Sequence, residues 1–169
     1  MKNLWTPWRM AYIEEKSPQE KGCIFEAGTG KNSEKESLLL YRDSLTVVLL
    51  NRFPYANGHL LIAPSRHVSD ICDLLPGENA ALSEMTKEAV TILRKHKNPD
   101  GFNIGLNLGT VAGAGHPEHL HYHVVPRWEG DHNFMTVLDE VRTIPEHIEN
   151  TFDKLLPDFQ ELQGNKDYK

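Results

Sequence analysis

The stretch "GHPEHLHYHVVPRW", residues 115–128, sets four histidines among apolar neighbours. From His119 to Val125 it alternates with a period of two, the pattern of a β-strand in which residues i, i+2 and i+4 share a face. On that reading His119, His121 and His123 point one way, and Leu120, Tyr122 and Val124 point into a core. Three imidazoles in a row admit three explanations. A half-buried strand can carry a polar face, although Thr, Lys or Glu normally fills it. Histidine is the commonest metal ligand, so a structural metal site is the second. Catalysis is the third: a neutral imidazole is nucleophilic near neutral pH and readily gives up a phosphoryl or nucleotidyl group. Adjacent imidazoles can bind phosphate oxygens or protonate a leaving group. Just upstream, "GTVAGAG" supplies Gly109, Gly113 and Gly115, whose backbone can approach a phosphate closely. A glycine loop alone says little, but one leading into a histidine strand favours the third explanation.

Working outward, "SLLLYRDSLTVVLLN" reads as two strands joined through Arg42, Asp43 and Ser44. "HLLIAP" should be a third, after a turn rich in Pro54, Asn57 and Gly58. From Gly77 to Lys95, Leu82, Met85, Ala89, Ile92 and Leu93 recur at helical spacing between charged residues. "FNIGLNL" is a further strand. Near the end Ile148, Phe152, Leu155, Phe159 and Leu162 form a second helical stripe. Pro157 should kink or split that helix, because an interior proline costs ~3 kcal/mol. "TGKNSEKES" resembles a flexible linker, and there is no internal repeat. The expectation is one α+β domain, an antiparallel sheet with a central helix and a C-terminal helix against it.

Composition narrows the function classes. A chain of 169 residues, 39% hydrophobic and 25% charged, can bury a sizeable core. A net charge of −6 argues against nucleic acid as a partner. No run approaches the ~20 apolar residues of a membrane helix, so no membrane partner is expected. Cys23 and Cys72 are too few for a disulfide framework, and the N-terminus lacks a signal-peptide core, which points to the cytoplasm.

"HLHYHVV" resembles the His-φ-His-φ-His-φ-φ signature of the histidine triad (HIT) nucleotide hydrolases and transferases. The resemblance continues through "VLLNRFPYANGHLLIAPSRHV", "GLNLG", "AGAG" and "PRWEGDHNF", a core of about residues 38–134. With "LWTPWRMAYI" in an N-terminal aromatic arm (1–30), "GCIFE" and a C-terminal helical extension (145–163), the chain is most similar to the bacterial branch that cleaves dinucleoside polyphosphates by hydrolysis or phosphorolysis.

The resemblance implies an antiparallel sheet with helices, usually as a homodimer. It makes His121 the nucleophile on the α-phosphorus, His123 the partner of the phosphate and leaving group, and His119 an orienting residue. Asn51 would contact the ribose, while Asn107 and the Gly113, Ala114 and Gly115 backbone would hold phosphate oxygens. Many members carry Gln, Ser or Thr beside the α-phosphate. This chain has His116 in a longer loop, either reaching the phosphates or simply solvated. Arg127 would meet a distal phosphate or form a surface ion pair. Trp5, Trp8 and Tyr12 would pack within the subunit, stack on a base or close a dimer interface; the Phe152, Leu155 and Phe159 stripe also invites a partner. Asp131 and Asn133 match the branch without a derivable role.

The chemistry requires no cofactor. The branch often binds structural zinc through a Cys-x-x-Cys pair and two histidines; here the matching set is Cys23, Glu26, His67 and His119, unless the site has been lost and Cys23 is a small buried hydrophobe. Three other functions stay open: a nucleoside phosphoramidate or adenylyl sulfate hydrolase, a weakly active nucleotide-binding regulator, and a metal-dependent hydrolase. The last lacks the carboxylates of a two-metal site.

Overall fold

The computed structural model describes residues 22–26, 34–131, 144 and 146–166. Its centre is a five-stranded antiparallel sheet in the order β1-β2-β3-β5-β4, with β1 Leu39–Arg42, β2 Thr46–Leu50, β3 Leu60–Pro64, β4 Gly101–Leu106 and β5 Tyr122–Arg127. Helix α1 is the single turn Glu34–Ser37, α2 spans Pro76–Lys97 and α3 spans Ile148–Lys166. The α+β expectation holds, with both long helices on one face of the sheet.

Alternation explains the layers. Leu60 and Ile62 of β3 and Val124 of β5 join Leu82, Met85, Ala89 and Leu93 of α2 and Phe152, Leu155 and Phe159 of α3 in the main core. Leu61 and Ala63 point the other way, into a smaller cluster with Leu39, Val47 and Leu49 that Phe25 covers. A bulge in β1, between Leu39 and Tyr41, turns both Leu40 and Tyr41 toward the helices. Asp43 fixes the β1–β2 turn by accepting the Leu45 and Thr46 amides at 2.9 and 2.6 Å.

Two elements depart from expectation. Helix α3 runs unbroken through Pro157, whose ring lies on the exposed side. On the opposite side three large residues are 0–1% exposed. Each contributes roughly 2 kcal/mol on burial, which together exceeds the ~3 kcal/mol that the proline costs. The same burial corrects the reason given for a dimer, since this chain's own sheet covers the stripe. Of the linker-like stretch, Glu34–Ser37 forms α1, and Lys35 pairs with Asp153 of α3 at 2.9 Å. Trp5, Trp8, Tyr12 and Asn133 lie outside the described residues. Among the described residues no helix is long and apolar enough to cross a membrane.

Candidate active site

The histidines lie on the sheet face away from the helices. The β3–β5 ladder ends at Ile62↔Tyr122, so His123 is in the strand while His119 and His121 precede it. This shortens the expected strand. The physical reason is that the segment turns to other partners: the Leu120 amide donates to the Val68 carbonyl at 2.7 Å, and the His119 Nε2–H to the Pro64 carbonyl at 2.8 Å.

The three imidazoles separate into two groups. His121 and His123 are neighbours, with ring centroids 4.9 Å apart. His119 turns toward Cys23 and His67, its ring 4.7 Å from that of His67. Phe25 lies between the groups, 4.9 Å from His119 and 5.1 Å from His121.

Hydrogen bonds fix the tautomers. His121 Nδ1–H donates to the His119 carbonyl at 2.8 Å, leaving Nε2 with a lone pair. His59, fully buried at the start of β3, accepts the Tyr55 amide on Nδ1 at 3.1 Å. Its proton is therefore on Nε2 and is donated to His123 Nδ1 at 2.9 Å. His123 in turn carries its proton on Nε2, a buried atom with no hydrogen-bond partner among the described residues. A ring nitrogen with a free lone pair and a ring N–H thus belong to adjacent imidazoles.

The surroundings keep these rings neutral. Burial pushes His123 down from the ordinary 6.5 to about 4, helped by the neighbouring His121. Burial likewise lowers His121, against the pull of the His119 carbonyl, and lowers His116 and His119. A histidine held below its unfolded value binds fewer protons when folded, so stability is full above 6.5 and falls as pH drops toward 4. Glu78, held at about 2 by Arg66, and Glu146, held at about 2 by Lys154 and Lys97, lose their contributions only below their ordinary 4.5. Thermal melts across pH should show two successive declines, and His123→Phe should reduce the first. A single decline starting below 4.5 would contradict this assignment.

The other expected residues are placed unevenly. Asn51 supports the relay: its Nδ2 lies 3.2 Å from His59 Nδ1, and its Oδ1 accepts the Phe53 amide at 3.0 Å. Asn107 reaches the Gly113 carbonyl at 3.4 Å and closes the glycine loop. Within that loop the Gly113 and Ala114 amides donate to the Thr110 and Gly109 carbonyls at 3.0 and 3.3 Å. Gly115 leads to His116, whose ring centroid is 6.4 Å from that of His121. Arg127 stands apart, near the far end of β5, bonded to Asp131 at 2.5 Å and Asn103 at 2.7 Å. This is the ion-pair alternative, and it gives Asp131 a role.

Sequence reading missed His59, Tyr55 and Phe25. Tyr55 stacks on His123, with centroids 5.8 Å apart and planes 20° apart. One signal was available: with Leu61 opposite His123, His59 is on the same face, one pleat away. Gly58 permits this start of β3, since its φ of +82° suits glycine and a Cβ there would lie 3.2 Å from Leu93. The Asn57 amide anchors the same turn to Thr151 of α3 at 3.2 Å.

On the metal side, Cys23 Sγ is 3.1 Å from His119 Nδ1. Among the described residues, Cys23, His67 and His119 offer donor atoms within 4.8 Å of one another. Because His119 Nε2 is committed to Pro64, the Nδ1 lone pair faces the thiol. That donor set fits zinc, which takes sulfur and imidazole nitrogen. Glu26 stands beside it, its Oε1 2.9 Å from His67 Nδ1.

A family model described as the HIT domain matches residues 32–130. The chain belongs to the HIT family. It is 40% identical over 157 residues to the AP-4-A phosphorylase of Mycobacterium tuberculosis, covering 89% of this chain and 80% of that one. To the asymmetrical bis(5'-nucleosyl)-tetraphosphatase of Schizosaccharomyces pombe it is 33% identical over 95 residues, 56% of this chain and 52% of that one. Among solved structures, a zinc-bound histidine triad family protein from Mycobacterium smegmatis superposes with a TM-score of 0.60 at 27% identity, covering 76% of this chain and 87% of that one.

Proposed function

We propose that this HIT protein cleaves dinucleoside polyphosphates, such as diadenosine tri- or tetraphosphate, at the α-phosphate through a nucleotidyl intermediate on His121. The observation that carries the reading is the opposed tautomers of adjacent rings: a bare Nε2 on His121 beside an Nε2–H on His123. His121 Nε2 attacks the α-phosphorus, and the bond from phosphorus to the bridging oxygen breaks. From diadenosine tetraphosphate, ATP leaves as an anion, so His123 needs to donate only a hydrogen bond. The nucleotidylated ring is cationic, and the His119 carbonyl stabilises it by accepting Nδ1–H. An oxygen of inorganic phosphate or water then attacks phosphorus and the Nε2–phosphorus bond breaks, giving ADP or AMP.

The 40% identical phosphorylase favours phosphate as acceptor. Product analysis of diadenosine tetraphosphate with and without inorganic phosphate tests this. ATP with phosphate-dependent ADP is expected, ATP with AMP would mark hydrolysis, and an inert substrate would overturn the reading.

The cysteine content and the lack of a spanning helix among the described residues support a cytoplasmic protein. The resemblance and the edge position of β4, where Ile104 is 47% exposed, support a homodimer. Light scattering at micromolar concentration should give twice the chain mass; a strictly monomeric mass would contradict it. The chemistry calls for no cofactor. A zinc ion on Cys23, His67 and His119, with Glu26 beside them, would have a structural effect, tying the segment that carries Phe25 to the sheet.

A further inference from the structure

The resemblance puts Glu26 at the second position of a Cys-x-x-Cys zinc pair, yet its carboxylate is bonded to His67 instead of facing Cys23 and His119. It accepts from His67 Nδ1 at 2.9 Å, and it is absent from the cluster of mutually close donor atoms formed by Cys23, His67 and His119. A histidine bonded through Nδ1 has Nε2 left for an ion. The arrangement is carboxylate, histidine, then metal, in which the carboxylate orients the ring and raises its basicity without touching the ion. His119 is held in the same manner by the Pro64 carbonyl, so both imidazoles have one nitrogen tethered and one available.

We infer that Cys23, His67 and His119 form a three-ligand metal site with an open fourth position, and that Glu26 positions His67 from outside the coordination sphere. The inference rests on the zinc reading above. Three protein ligands leave a tetrahedral ion one position for an exchangeable ligand. The class of ligand that fits is water or a small anion. Access comes from the outer side of the cluster: the His67 and Glu26 side chains are 45% and 53% exposed, whereas His119 is 1% exposed. A surface hollow of about 550 Å³, lined by His67 together with Arg66, Ser69 and Glu118, adjoins it. The position faces away from the catalytic pair, because Phe25 lies between His119 and His121. An anion bound there would be separate from substrate.

Cobalt(II) substitution tests this without relying on turnover. The full chain is stripped of metal, loaded with cobalt(II), and followed by visible absorption during titration with azide. The wild type should show the ligand-field bands of a tetrahedral ion with a thiolate charge-transfer band, and azide should shift the ligand-field bands saturably. Cys23→Ser should abolish the charge-transfer band. Glu26→Ala should keep the band positions and the azide response while weakening cobalt binding about 10- to 100-fold; Glu26→Gln, which can still accept from His67, should lose less. If the wild type ignores azide and Glu26→Ala becomes responsive, Glu26 fills the fourth position and the inference is overturned. If no cobalt binds, the inference and the zinc reading fall together, whereas the assay of diadenosine tetraphosphate cleavage judges the catalytic reading separately.

Discussion

His121→Ala should lower turnover at least about a thousandfold, equivalent to roughly 4 kcal/mol of transition-state stabilisation, with AMP binding and folding nearly intact. The size follows from chemistry: without Nε2 there is no atom to form the bond to phosphorus, and the remaining donors offer only electrostatic help. The retained fold follows from place. His121 is 4% exposed, but it lies on the sheet face away from the main core, against Phe25 and His123. His121→Gly extends the test, since free imidazole can enter the space and restore part of the rate. In the wild type, rapid acid-free quenching should trap one nucleotide per chain on His121 through a phosphorus–nitrogen bond. A His121→Ala protein that kept a substantial part of the wild-type rate would exclude the covalent route.

What was legible in the sequence was periodic. The stripe from Leu82 to Leu93 specifies α2 because its apolar residues recur at helical spacing, and the alternation from His119 to Val125 gives that segment two faces. The histidine spacing singled out His121 and His123, which stand side by side, for the same reason. Less legible was whatever depended on contacts between distant segments. Nothing local says that His119 turns from His121 to Cys23, 96 positions earlier. Pro157 misled because propensity is local while the burial of Phe152 and Phe159 is tertiary. Asn51 and Arg127 are polar groups whose partners, His59 and Asp131, become visible only in the folded chain. The resemblance named Cys23, Glu26, His67 and His119 together as a zinc set, but only the folded chain shows that Glu26 bonds to His67 while the other three offer close donor atoms.

His59→Phe should reduce kcat about 100-fold with little change in KM, although the residue reaches the substrate only through His123. A backbone amide can only donate, so the Tyr55 N–H fixes a bare Nδ1 on His59, and the proton on Nε2 passes the constraint to His123. Phenylalanine keeps a flat ring in a position that is 0% exposed, but it is larger than imidazole and offers the Tyr55 amide no acceptor, so melting temperature is measured beside kcat. His123 would then be free to place its proton on either nitrogen, and in one tautomer it would present a lone pair to a phosphate oxygen. His59→Gln, whose amide can donate to His123 Nδ1, should recover part of kcat. Because His59 acts through His123, the double variant His59→Phe/His123→Phe should be no slower than His123→Phe alone. Equal melting temperatures for His59→Phe and His59→Gln would separate orientation from stability. Additive losses in the double variant, or a wild-type kcat for His59→Phe, would show that the tautomer of His123 is set by something other than His59.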